Sequence, residues 1–225
     1  MDVSNIKAII FDNDGVLVDS ELIHIAIERE LLAELGLHYD LQTYTSRFVG
    51  LSNTDFYSEL SNDYDALSLG EFPANFDDRL RARVWPRIED ELKSIRDAEE
   101  LAARFNGAVA VASSAPLWRL ERKLNITNLF NLFAPHIYSS DHVENGKPEP
   151  DLFLYAAKRL AISPSNCMVV EDSENGVRAG RAAGMLTVGF IGGSHVDETH
   201  RAKLLNAGAQ FVASGHDEIA TYLDV

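Results

Sequence analysis

The sequence predicts an α/β protein with a Rossmann-like parallel-sheet core and an inserted small helical cap, on three observations. Ala8–Phe11 is uniformly apolar, as expected of a strand buried on both faces. From Ile95 onward, short apolar runs alternate with helical segments, the texture that builds parallel sheets through right-handed crossovers. Between these regions no clear strand occurs before Ala108, and helical patterning fills the gap. The expected division is a core of residues 1–16 and 94–225 and a cap of residues 17–93.

In the cap, Ile23, Ile27 and Leu31 give Glu21–Leu35 the i, i+4 stripe of an amphipathic helix, stopped by Gly36. Leu41–Phe48, Thr54–Leu60 and Pro73–Leu92 continue in helical style, with Asn62–Asp65 and Leu69-Gly70 expected as loops. The core then predicts strands at Ala108–Ala112, His136–Ser139, Cys167–Glu171, Met185–Ile191 and Gln210–Val212. Helices are expected at Leu117–Leu124, Asp151–Leu160, Val177–Ala183, Glu198–Asn206 and Glu218–Leu223.

A chain of 225 residues with 46% hydrophobic content can bury a sizeable interior. Its formal charge of −15 argues against a nucleic-acid or anionic-membrane partner. No apolar stretch reaches the ~20 residues of a membrane helix, and the N-terminus lacks the basic region and apolar core of a leader. A cytoplasmic monomer is therefore expected. Cys167, the only cysteine, excludes an internal disulfide and sits in an apolar strand where it reads as packing.

Four segments carry chemistry. Asp12 and Asp14 leave the first strand at a turn permitted by Gly15; if the chain stays extended through Asn13, both carboxylates share one side. Like charges so placed suit a bound cation, or an acid/base group beside a carboxylate nucleophile; the alternative is a solvated Asp-rich turn. Ser113 and Ser114 end the next strand before Pro116, as a phosphate cradle or an ordinary helix cap. Lys147, in Gly146-Lys147-Pro148-Glu149-Pro150, brings a point charge on a stiffened loop, although taken alone it reads more readily as a solvated turn. Glu171 and Asp172 leave a second buried strand, as part of an oxygen cage for a hard ion or as an acidic helix start.

In this order and spacing, from Asp12 to Gly184, the four segments resemble the motifs of the haloacid dehalogenase-like superfamily, and within it the β-phosphoglucomutase-like phosphatases and mutases. The resemblance implies Mg²⁺ held by Asp12, Asp14 through its main-chain carbonyl, Glu171 and Asp172. It makes Asp12 the nucleophile that forms an aspartyl-phosphate. Asp14 becomes an acid and base, best served by a raised pKa. Lys147 completes the catalytic set, and Gly15, Ser113, Ser114 and Lys147 hold phosphate.

In the cap it points to His24 and to the loop of Arg47, Gly50 and Asn53 as substrate contacts. Asn53 stands where the mutase carries an arginine for a second phosphate. The leading expectation is a Mg²⁺-dependent phosphatase of a small phosphorylated metabolite, of the sugar phosphate or sugar-acid phosphate class. A phosphosugar mutase is the alternative within the same chemistry, and a phospho-receiver signalling module the alternative of another class.

Overall fold

The computed structural model describes residues 3–49, 51, 53–194 and 198–225. It divides into two compact units, Met1–Ser20 with Leu92–Val225, and Glu21–Glu91. In chain order the elements are β1 (Ala8–Phe11), α1 (Glu21–Glu34), α2 (Leu41–Phe48), α3 (Asn53–Ala66), α4 (Phe76–Glu91), α5 (Ala98–Arg104), β2 (Ala108–Ser113), α6 (Leu117–Ile126), α7 (Phe130–Phe133), β3 (Ile137–Ser139), α8 (Asp151–Leu160), β4 (Cys167–Glu171), α9 (Glu174–Ala182), β5 (Leu186–Phe190), α10 (Glu198–Ala207), β6 (Phe211–Ala213) and α11 (His216–Leu223).

In the first unit the strands form one parallel sheet in the order β3-β2-β1-β4-β5-β6. All four residues of β1 are buried, which explains why its sequence does not alternate. Side chains nonetheless point to opposite faces in turn. Ala8 and Ile10 join Ala110, Val169, Phe153 and Ala179 in a core against α8 and α9. Phe11, on the other side, meets Phe133 of α7 edge-on at 5.7 Å and lies near His216 of α11. Both faces are thus covered by helices, and the strand ends are left as the exposed edge where this architecture places chemistry. Cys167 is fully buried, and burial pushes its thiol up to about 11, consistent with inert packing.

The chain leaves and re-enters this unit along two paired segments. Ile95 N–H donates to Leu17 C=O and Asp19 N–H to Lys93 C=O, around an antiparallel bridge between Val18 and Ser94. Val16, Leu17 and Val18, expected to straddle the start of the cap, are fully buried in the first unit.

The second unit consists of α1 to α4. Ile23, Ile27 and Leu31 of α1 are buried as their spacing predicts, and Gly36 follows the helix with φ +91°, a conformation that favours glycine. Asp40 caps α2 by accepting from Thr43 N–H. Asn62–Asp65, expected as a loop, lies inside α3. Leu60 and Tyr64, four residues apart, are buried there, and that packing outweighs the polar composition of the stretch. The interior is aromatic: Phe48, Phe56, Tyr57, Phe72 and Phe76 follow one another at ring separations of 5.3 to 6.2 Å. No described helix is long and apolar enough to cross a membrane.

Candidate active site

At the tip of β1 the ladder continues one step beyond the strand, with Asp12 N–H donating to Val170 C=O. The chain does not then run extended. Asn13 C=O accepts from the amides of Leu17 and Val18, and Gly15, at φ +79°, donates to Val18 C=O. The turn requires that left-handed glycine. Each of the two acids then pairs with its own lysine, Asp12 with Lys147 and Asp14 with Lys123.

Lys147 ties Asp12 to the rest of the sheet edge. Its ammonium donates to Asp12 Oδ1 at 2.5 Å, to Glu171 Oε1 at 2.6 Å and to the carbonyl of Ala112, near the end of β2, at 2.9 Å. All three of its donors are used, and 4% of the side chain is exposed. Phe153 lies beneath the ammonium at 4.9 Å. Burial raises the Asp12 carboxyl well above the usual carboxylate range, as do the Glu171 and Asp172 charges, against the lowering pull of Lys147. Burial disfavours the Lys147 cation, yet Asp12 and Glu171 outweigh it and push its pKa up.

Glu171 has both oxygens committed. Oε1 takes Lys147, and Oε2 accepts from the amide and the hydroxyl of Ser173, both at 2.8 Å. The carboxylate also fills the space beside Gly176, where a Cβ would stand 1.7 Å from Oε1. Glu171 therefore braces Lys147. Asp172 C=O accepts from His200 Nε2 at 2.6 Å.

Ser113, the last residue of β2, is 2% exposed. Its Oγ accepts from Ala115 N–H at 3.1 Å, so it does not cap α6. The first α6 amide, Leu117 N–H, goes instead to Asp141 Oδ2. Ser114 C=O receives the Ser140 hydroxyl.

Asp14 departs from expectation. Its Oδ1 accepts from Lys123 Nζ and from Ser20 Oγ. Burial pushes the carboxyl up, but the Lys123 charge and these hydrogen bonds outweigh it, and the pKa is lowered, not raised. Lys123 and Ser20 were not anticipated as site residues. The available signal was a lysine on the buried stripe of α6, between Leu120 and Leu124.

Among the described residues no group of three or more His, Cys, Asp or Glu side chains could hold a metal ion. The expected set draws on the Asp14 main-chain carbonyl and is not a cage of side chains alone. The remaining donors still suit Mg²⁺, which takes few protein oxygens and keeps several waters: Asp12, Asp172 and the Asp14 main-chain carbonyl. Among the described residues both nearby ammonium groups are taken up by carboxylates of the site, Lys147 by Asp12 and Glu171 and Lys123 by Asp14.

The expected cap contacts lie in the helical unit. His24 is on α1, half-buried. The Arg47 guanidinium holds Asp63 through both Nη atoms, at 2.8 and 3.2 Å, and Glu59 at 2.9 Å. Its charge is matched inside the unit by these two acids. Asn53 opens α3, and Gly50 lies outside the described residues.

A family model for haloacid dehalogenase-like hydrolases matches residues 6–184. Over 193 residues the chain is 28% identical to 6-phosphogluconate phosphatase of Escherichia coli strain K12, covering 86% of each chain. It is 30% identical to a phosphorylated carbohydrates phosphatase of Thermotoga maritima, covering 80% of this chain and 82% of that one. A solved structure of a hydrolase of the same family from Deinococcus radiodurans, with bound phosphate and sodium, superposes with a TM-score of 0.86. That structure shares 33% identity, over 98% of this chain and 96% of the other.

Proposed function

We propose, from the premise that this chain belongs to the haloacid dehalogenase-like hydrolases, that it is a phosphatase of small phosphorylated metabolites, of the sugar phosphate or sugar-acid phosphate class. One observation carries the reading: the Lys147 ammonium joins Asp12, Glu171 and the Ala112 carbonyl, so all four motifs converge on one strand edge. Relatives that act on 6-phosphogluconate and on phosphorylated carbohydrates support the substrate class.

With Oδ1 held by Lys147, the second Asp12 oxygen attacks phosphorus as the bond to the leaving oxygen breaks. Ser113 binds a phosphoryl oxygen through its hydroxyl, and Lys147 exchanges one of its three contacts for another phosphoryl oxygen as substrate enters. Asp14 gives a proton to the departing alkoxide, and in the second half-reaction takes one from the water that cleaves the aspartyl-phosphate, which restores its acid form. Asp12, Asp172 and the Asp14 carbonyl would hold Mg²⁺, which would supply neutralisation of phosphate charge. Arg47, paired with Asp63 and Glu59, does not support a site for a second phosphate of the mutase kind.

The test is phosphate release from a panel of sugar, sugar-acid and polyol phosphates, with and without Mg²⁺. Turnover of at least one class, abolished by EDTA, is the expected result. No release from any member, or full activity in EDTA, overturns the reading.

A further inference from the structure

Lys123 belongs to none of the four motifs, yet it is 6% exposed, on the face of α6 that also buries Leu120 and Leu124. A lysine so placed must find partners for its ammonium, because a buried cation without them is strongly disfavoured. Its Nζ donates to Asp14 Oδ1, 109 residues away in sequence, and to Ser20 Oγ at 3.2 Å. The Ser20 hydroxyl in turn donates to the same Asp14 oxygen. Oδ1 is therefore held from two sides. Both the Lys123 and the Ser20 contact fall on this one oxygen, and 31% of the Asp14 side chain is exposed.

We propose that Lys123 is a positioning residue for Asp14: together with Ser20 it pins one carboxylate oxygen so that the other is presented to the leaving-group oxygen and then to water. The inference rests on the reading of Asp14 as proton donor and acceptor. A carboxylate on a single χ2 axis can swing either oxygen toward the reacting group. Two donors on one oxygen remove that freedom before substrate arrives, and orientation of this kind governs rate more than affinity. Ser20 alone would hold it poorly, because a hydroxyl rotates; the ammonium, fixed by its burial in α6, supplies the rigid contact.

The test compares Lys123→Met, Ser20→Ala, Asp14→Asn and the Lys123→Met/Asp14→Asn double variant on p-nitrophenyl phosphate with Mg²⁺, by steady-state and rapid-quench kinetics. Lys123→Met should lower kcat by roughly 30- to 100-fold, leave KM within about twofold and let phosphoenzyme accumulate. Ser20→Ala should do the same to a smaller degree, about fivefold. In the Asp14→Asn background Lys123→Met should change kcat by no more than about twofold, because a residue acting through another contributes nothing once that one is gone.

Equal losses in both backgrounds overturn the proposal, as does a rise in KM without trapped phosphoenzyme. If Lys123→Met does not fold, Ser20→Ala in the two backgrounds decides by the same criteria. Full-speed turnover by Asp14→Asn overturns the reading of Asp14 itself. That failure is told apart from failure of Lys123 alone, in which Asp14→Asn is slow and Lys123→Met is normal.

Discussion

In the helical unit Arg79 and Arg83 reach Glu34, and Arg87 reaches Glu30 and Glu91, across surfaces where each partner keeps 30 to 54% of its side chain exposed. In the α/β unit Lys147 and Glu171, 4% and 1% exposed, are closed against each other and Asp12. Pairs of the first kind are screened by water and salt and add little to stability. In pairs of the second kind the loss of ion hydration offsets much of the attraction, so stability alone does not account for them. Charges buried at that cost hold reacting groups in place, and the contrast separates surface complementarity from a catalytic arrangement within one chain.

The contrast can be broken first at Asp12. Asp12→Asn removes the proposed nucleophile and should lower phosphate release by at least ~10⁴-fold while circular dichroism still reports a folded chain; retained turnover would end the assignment. Gly176→Ala comes next. Its methyl group would occupy the Glu171 carboxylate, so Glu171 must move and release Lys147. A loss of about 100-fold in kcat with about 1–3 kcal/mol of destabilisation is expected, read from kinetics and urea melts. An unaffected enzyme would show that Glu171 does not brace Lys147.

A smaller effect should appear with pH. His216 is fully buried against Phe190, with Nδ1 donating to Arg96 C=O and Nε2 without a partner among the described residues. Burial pushes its pKa down to about 4 from 6.5. Between those values the unfolded chain binds a proton that the folded one refuses. Stability is therefore full above about pH 6.5 and falls as pH drops toward 4, by up to about 3 kcal/mol. His216→Phe should flatten that dependence in denaturant melts at pH 7 and pH 5; an unchanged slope would place the acid sensitivity elsewhere. The smallest effect is expected in the helical unit. Glu34→Ala breaks the contacts to Arg79 and Arg83, yet should shift Tm by no more than about 2 °C and leave kcat unchanged. A large shift would erase the distinction between the units.

The buried strands β1 and β4 were legible because a parallel sheet covered on both faces demands uninterrupted apolar runs, and Asp12, Ser113 and Glu171 because they stand where such strands end; Lys147, in the loop before α8, stood out only by its Gly-Lys-Pro context. Lys123 was not, since a lysine in a helix ordinarily reads as solvated and its partner lies 109 residues away. The service Glu171 performs was hidden for a related reason: an acid after a strand suits a metal or an ammonium equally, and only the position of Ser173 and Lys147 around it decides. The expected loop at Asn62–Asp65 failed where burial of Leu60 and Tyr64 overrode local composition.

The bridge between Val18 and Ser94, flanked by the Leu17–Ile95 and Asp19–Lys93 contacts, has a bearing on how such a chain can be remade. The ends of the Glu21–Glu91 segment are already stitched together at their base, so joining them directly would ask only for a short turn and little closure entropy. A designer, or a gene acquiring foreign sequence, could trade that segment for another of different length without re-registering a single strand.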